Sequence, residues 1–271
     1  MTPLTIKHKA WLWLLSGLLS MQAAADAQGI SVGADTWCPY NCEPKTERPG
    51  VMIELAREAL ALSGYQLDYQ ALNWARAKIK VQSGELDGIV GMAYTDNTKV
   101  RYYFPQHSMG ESQVCLYKGQ DDDWEYHHVA SLDGKVFGWI NDYGFSTDAL
   151  DIWVNNNKNT PKVLTVAGEQ THSRLFKLLQ LKRIDTFAED RAVINYELHR
   201  AGLQDKIVQA GCLEQSEEVY IAFSLASKQK ENWAKALDAG LEKLYQSSRY
   251  LEIIQRYGLS DENWRLRDRR P

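Results

Sequence analysis

Twice in this chain, a run of strand and helix signals unfolds in strict alternation and is then broken by a polar stretch. That doubled alternation limits the possible folds more than any other feature. In the first run, Gly29 to Ala34 places Ile30 and Val32 on one face, as in a short strand. Val51 to Ser63 then carries Met52, Leu55, Ala56, Ala59 and Leu60 at helical spacing, with Gly64 at the capping position. Tyr65, Leu67, Tyr69 and Ala71 alternate with Gln66, Asp68 and Gln70, predicting a half-buried strand. A helix over Trp74 to Ser83 stops at Gly84, and the almost wholly apolar Gly88 to Ala93 reads as a strand covered on both faces. Strand, helix, strand, helix, strand predicts an α/β lobe with a mainly parallel sheet.

From Val136 the pattern restarts. The expected order is a strand at Val136 to Ile140, a helix from about Ser146 to Val154 and a loop over Asn155 to Pro161. A strand at Val163 to Val166, a helix near Thr171 to Leu181, a strand at Ile184 to Ala188 and a helix near Arg191 to Ala201 follow. That makes a second α/β lobe. Strands at Lys206 to Cys212 and Val219 to Ser224 precede two closing helices, and the charged tail Arg265 to Pro271 is expected to fray.

The N-terminus sets the compartment. Lys7, His8 and Lys9, the apolar run Ala10 to Met21 and the small residues Ala23-Ala24-Ala25-Asp26-Ala27 have the layout of a cleavable signal peptide over residues 1–27. The apolar run would span only about 18 Å as a helix, against a hydrocarbon core of about 30 Å, which argues against an anchor. Export to the periplasm is the expectation. Loss of Lys7 and Lys9 makes the mature chain more acidic than the full sequence, which already has 35 acidic against 31 basic residues. Such a surface repels phosphate backbones, so no nucleic-acid partner is expected.

Four cysteines in an exported chain can form two disulfides in three ways, and the spacing does not choose among them. Pairing Cys38 with Cys42 needs a tight reversal, for which Pro39-Tyr40-Asn41 supplies turn-forming residues. Cys115 and Cys212 would then remain. In "WCPYNC" three residues separate the thiols rather than two, and Pro44 and Pro49 stand where a helix should run, so a redox centre is the weaker reading. No cysteine pair has a zinc-type partner. Asp121-Asp122-Asp123 with His127-His128 lacks the glycine and terminal glutamate of a calcium loop and reads as a solvated linker. Neither metal nor cofactor is expected.

Five stretches in register, "PGVMIELAREAL", "SGELDGIVGMAYT", "SLDGKVFGW", "KRIDTFAED" and "VYIAFS", resemble the extracellular solute-binding proteins of family 3, the type II periplasmic binding proteins of amino-acid ABC transporters. The resemblance covers essentially the whole mature chain. It implies a two-lobed α/β fold, each lobe a mainly parallel sheet flanked by helices, joined by two hinge strands and closing on a solute held between them. The crossings would fall near Val114 to Tyr117 and Gly211 to Glu218. Lobe 1 would comprise 28–116 and 214–271, and lobe 2 would comprise 117–213. Cys115 and Cys212 both land near the crossings, which favours their pairing.

The resemblance also places residues in the cleft. Trp37 or Tyr40 would present the aromatic ring of the first loop, unless Trp37 packs beneath it as core. Trp74 matches the position that stacks on ligand, and Arg76 would reach an anionic group if it does not simply face solvent. Gly144, Phe145 and Ser146 form the helix-start turn that holds a ligand carboxylate in the family, and free N–H groups there favour an anion. Ser146 can also serve as an ordinary cap. Asp190 falls where a carboxylate takes the ligand's amino group, although an acid at a helix start is usually a cap. One departure bears on the ligand: the family's "T-x-x-R" clamp reads "TDNT" here, so Thr98 stands where the arginine belongs. Lysine, present next at Lys99, lacks the planar fork. The expected function is capture of a small polar solute, amino-acid-like or another small organic ion, by a monomer that delivers it to an ABC permease or a membrane sensor. The rival is a dehydratase resembling the periplasmic cyclohexadienyl enzymes, with Glu189 or Asp190 as the acid.

Overall fold

The computed structural model describes residues 28–145, 148–260, 264 and 266–268. The expected signal peptide and Ser146 lie outside the described residues. In chain order, β1 (Gln28–Ala34), α1 (Val51–Ala61), β2 (Tyr65–Ala71), α2 (Trp74–Ser83) and β3 (Gly88–Ala93) follow the predicted alternation closely. Three two-residue strands come next: β4 (Tyr102–Tyr103), β5 (His107–Ser108) and β6 (Glu111–Ser112). The second run comprises β7 (Val114–Gly119), β8 (Phe137–Ile140), α3 (Asp148–Asn157), β9 (Val163–Val166), α4 (Thr171–Gln180), β10 (Thr186–Asp190), α5 (Arg191–Ala201) and β11 (Ile207–Cys212). The chain ends with β12 (Glu217–Ser224), α6 (Lys230–Tyr245), α7 (Ser248–Arg256) and β13 (Arg267–Asp268).

Two sheets result. The first runs β2-β1-β3-β12-β4, with β6 also paired to β12; the second runs β11-β7-β10-β8-β9. Within the first, β1 pairs in parallel with β2 and β3, while β12 runs antiparallel to β3. Within the second, β8 pairs in parallel with β9 and β10, and β7 runs antiparallel to β10 and β11. The chain therefore leaves the first sheet between Ser112 and Val114 and returns to it between Cys212 and Glu217. The chain has α/β architecture with two lobes, as the alternation predicts.

Each sheet has its own apolar packing. Val51, Met52, Ile53, Leu55, Ala56, Ala59 and Leu60 of α1 are fully buried with Leu237 and Leu241 of α6 and Ile253 and Ile254 of α7. Each such large side chain contributes about 1.5–3 kcal/mol on burial. A glycine sets the helix spacing: a Cβ on Gly240 would sit 2.3 Å from the Ala59 carbonyl oxygen, so only a bare backbone lets α6 approach α1 this closely. In the second lobe, Leu116, Leu132, Phe137 and Leu150 pack on one side, and Leu175, Ile184, Phe187 and Ile194 on the other.

Both cysteine pairs meet. Cys38 and Cys42 lie at disulfide distance across the tight turn, and Cys115 and Cys212 face each other in register on β7 and β11. Two expectations fail. α3 runs to Asn157, three residues into the stretch expected to be a loop, because Val154 is buried and the Asn157 amide donates to the Trp153 carbonyl at 2.8 Å. The described part of the tail expected to fray, residues 266–268, is anchored: β13 pairs with β5 and Arg267 meets Glu111 at 2.9 Å, close in sequence to the buried Trp264.

Candidate functional site

Parallel strands place their loops at the carboxyl edge of a sheet, which is where α/β folds bind ligands. Here the loop after β1 is held rigid. Trp37 and Asn41 exchange backbone hydrogen bonds across the Cys38–Cys42 turn, and the carbonyls of Pro39 and Tyr40 accept from the Val51 and Met52 amides at 2.9 Å each. The loop thereby satisfies free N–H groups of α1, whose start has no side-chain cap. Gly50 is required at the junction: its φ is 113°, and a Cβ would meet the Tyr40 oxygen at 2.4 Å.

Between the lobes lies a cavity of about 490 Å³. Asp35, Trp37, Asn41 and Trp74 line it from the first lobe, and Tyr143, Gly144, Phe145 and Glu189 from the second. Three contacts span it. The Tyr143 hydroxyl donates to Asp35 Oδ2 at 2.6 Å, Trp37 Nε1 donates to Glu189 Oε1 at 3.1 Å, and Lys78 Nζ donates to the Asp142 carbonyl at 3.4 Å.

The carboxyl groups in and around the cavity are tuned by burial. Asp35 is raised to about 6, chiefly by desolvation and further by the charge of Glu189, against the Tyr143 hydrogen bond and His172, which lower it. Glu189 is buried, and its other oxygen lies 2.7 Å from His172 Nε2. Burial works to lower the His172 pKa, but the hydrogen bond and charge of Glu189 outweigh it and the value rises. Glu217, from the start of β12, is raised to about 8 by desolvation, with Asp151 and Asp190 adding repulsion. Its Oε1 has no hydrogen-bond partner among the described residues, and neither does Asn41 Oδ1. Both residues line the cavity.

The structure divides the residues predicted from sequence. Trp37, Trp74 and Gly144 line the cavity. Trp74 is half-buried at the first position of α2, with Lys78 Nζ 5.8 Å from its ring centre. Tyr40 does not line it. Its ring is buried between Trp37, at 4.1 Å between centroids, and Trp264, at 4.9 Å. Arg76 is exposed on α2 and does not line the cavity, because it points a half-turn away from Trp74; Lys78, four residues on, shares that face instead.

Asp190 faces a different cavity, behind the hinge. Its carboxylate is fully committed: Oδ1 accepts from the Val193 amide at 3.0 Å, and Oδ2 accepts from Tyr40 and Ser112 at 2.9 Å and from the Gln113 amide at 3.0 Å. Burial still raises it to about 6 against these bonds. It caps α5 and ties the first loop to the hinge. The acid that enters the cleft is its neighbour Glu189.

At the turn expected to hold an anion, the Phe145 amide donates to Asp151 Oδ1 at 2.9 Å, so a carboxylate of the chain itself takes that donor. Thr98 lines the cavity, but its hydroxyl is engaged in its own turn, donating to the Ala93 carbonyl at 2.7 Å and accepting from the Thr95 amide at 2.8 Å. Sequence reasoning passed over Asp35, Asn41, Lys78, Arg101, Tyr143 and Glu217 as cleft residues. The usable signals were the position of Asp35 at the carboxyl end of β1 and the four-residue spacing of Trp74 and Lys78.

A family model described as bacterial extracellular solute-binding proteins, family 3, matches residues 30–260. Among solved structures, the arginine-, lysine-, histidine-binding protein ArtJ from Geobacillus stearothermophilus matches with a TM-score of 0.69 and 20% identity, over 85% of this chain and 95% of that one. A mutant of ArgBP from T. maritima matches at 0.67 and 19%, over the same shares of the two chains. A histidine kinase sensor domain with similarity to periplasmic binding proteins matches at 0.71 and 16%, over 86% and 96%. At these identities the structural likeness establishes the fold. No curated protein sequence matches.

Proposed function

The chain belongs to the bacterial extracellular solute-binding proteins of family 3, and from that premise we propose that it captures a small polar solute in the periplasm by closing its lobes and hands it to an ABC permease or a membrane sensor. The observation that carries this reading is the cavity lined from both lobes and spanned by the Tyr143–Asp35 and Trp37–Glu189 hydrogen bonds. Closure requires only that the solute bind the closed form better than the open one. The spanning contacts are of the kind that a closed form makes and an open form lacks.

Trp74 supplies the flat surface on which the solute lies. Trp37 supplies a second wall, held in place by Tyr40 beneath it. Gly144 and Phe145 close the far side. Asp190 acts indirectly, by fixing Tyr40 and the hinge. The protein works as an exported monomer with lobes near 28–116 plus 214–271 and 117–213, the crossings falling near Val114 to Tyr117 and Gly211 to Glu218. It binds its solute without turning it over.

A thermal-shift screen of amino acids, amines, sugars and organic acids tests the proposal, since a ligand at 100 times its Kd adds about 2.7 kcal/mol of stability. One compound class is expected to raise Tm clearly, and Trp74→Ala to abolish the rise. A rise retained in full by Trp74→Ala would remove Trp74 from the site, and a blank screen would count against the function itself.

A further inference from the structure

The chemistry of the cleft narrows the solute further, on the reading that this cavity is where the solute binds. Its walls carry six carboxyl side chains, Asp35, Asp96, Asp142, Asp151, Glu189 and Glu217, against two cationic ones, Lys78 and Arg101. Asp96 is paired with Lys99, Glu189 with His172, and Asp151 with the Phe145 amide, so not all of that charge is available.

The hydrogen bonds left unmade are more selective. Asn41 is only 1% exposed, and its amide nitrogen donates to the Asp35 carbonyl at 2.6 Å, which fixes Oδ1 as the free end. That oxygen lacks a partner among the described residues, as does Glu217 Oε1. A buried acceptor without a donor costs about 1–3 kcal/mol, so a site holding two of them is built for something that brings donors. Three of the donors on which an anion could draw among the described residues are already used within the chain. The Phe145 amide serves Asp151, Trp37 Nε1 serves Glu189, and the Tyr143 hydroxyl serves Asp35. The half-buried indole of Trp74 completes the picture, since it already carries an ammonium of the chain, that of Lys78, over its ring.

We propose that the solute is a small organic cation, an amine or guanidinium compound, whose N–H groups are received by Asn41 Oδ1 and Glu217 Oε1 under the combined charge of the cleft carboxylates. Lys78 is then a competitor for the same surroundings and lowers the affinity. Glu217 faces the ionisable Asp151 and Asp190, with Ser112 opposite it on β6. A cation arriving there favours its ionised form, so binding near neutral pH releases a proton.

The test uses the mature full-length protein with four probes of similar length, 1,5-diaminopentane, L-lysine, L-glutamine and L-glutamate, at matched ionic strength, by thermal shift and isothermal titration calorimetry. Diaminopentane or lysine is expected to stabilise the protein, and glutamate not to. Glu217→Gln, which keeps the shape of the side chain, should weaken amine binding at least tenfold, while Lys78→Met should strengthen it severalfold. Titrations at pH 7.5 in buffers of different ionisation enthalpy should report release of up to one proton by wild type and none by Glu217→Gln. If glutamate or glutamine binds and neither amine does, the cation assignment is overturned and solute binding stands. If amines bind but both variants leave the affinity unchanged, the assignment to these residues is overturned. If no probe binds, the cation assignment falls, and solute binding falls with it only if a wider solute screen is also blank.

Discussion

Glu189 and Asp190 are neighbours at the end of β10, both buried, yet they serve opposite sides of the hinge. On the rear side, four donors converge on Asp190 from the first loop, the hinge and α5. On the cleft side, two acceptors, Asn41 Oδ1 and Glu217 Oε1, have none among the described residues. The contrast separates structural from functional polarity. A buried carboxylate whose bonds are all made within the chain holds the fold, whereas buried acceptors left open beside a cavity mark the place where another molecule supplies what is missing.

The largest effect expected is on the rear side. Asp190→Ala would leave Tyr40, Ser112 and two backbone amides without their acceptor and remove the cap of α5, costing about 3–5 kcal/mol in urea unfolding. A loss below about 1 kcal/mol would blur the distinction between the two sides.

The front side predicts the opposite sign. Because the Glu217 pKa is raised from 4.5 to about 8, the folded protein keeps a proton that the unfolded chain gives up, and stability falls as pH rises through that window. Asp35, raised to about 6, and His172, raised by its bond to Glu189, act in the same direction, so the comparison must be with a variant at the one site. Glu217→Gln should stabilise the ligand-free protein by roughly 2–4 kcal/mol at pH 8 and by less than about 1 kcal/mol at pH 5. Equal effects at both pH values would show that the carboxyl is not held protonated.

Smaller effects sharpen the picture. Trp74→Ala should cost about 1–3 kcal/mol of binding free energy while changing urea stability little, since the ring is only half-buried. Tyr143→Phe removes one bond across the cleft and leaves the packing intact, so about 0.5–1.5 kcal/mol should be lost from binding, read by calorimetry.

The alternation of strands and helices was legible because long elements repeat their apolar spacing several times. The two-residue strands β4, β5, β6 and β13 carry no periodicity to read, and the pairing of Arg267–Asp268 with His107–Ser108 depends on contacts far apart in sequence. Trp37 and Trp74, which the family resemblance places in the cleft, both line the cavity. The family resemblance puts Asp190 in the cleft, but a one-residue step reverses the face of a strand, and sequence does not say which of two adjacent acids points inward. From sequence, Arg76 is named and Lys78 is not considered, although helical geometry favours the residue four positions from Trp74. The cleft acceptors were invisible for a different reason. Their significance lies in bonds they do not make, and that becomes evident only once every neighbouring donor has been located.

The most direct measurement is a crystal structure of the protein with whichever compound stabilises it most. The account predicts density for that compound between Trp74 and Glu189, with nitrogen donors within hydrogen-bond distance of Asn41 Oδ1 and Glu217 Oε1 and with Asp190 still bound to Tyr40, Ser112, Gln113 and Val193. Density in the rear cavity on Asp190, with the cleft empty, would contradict it.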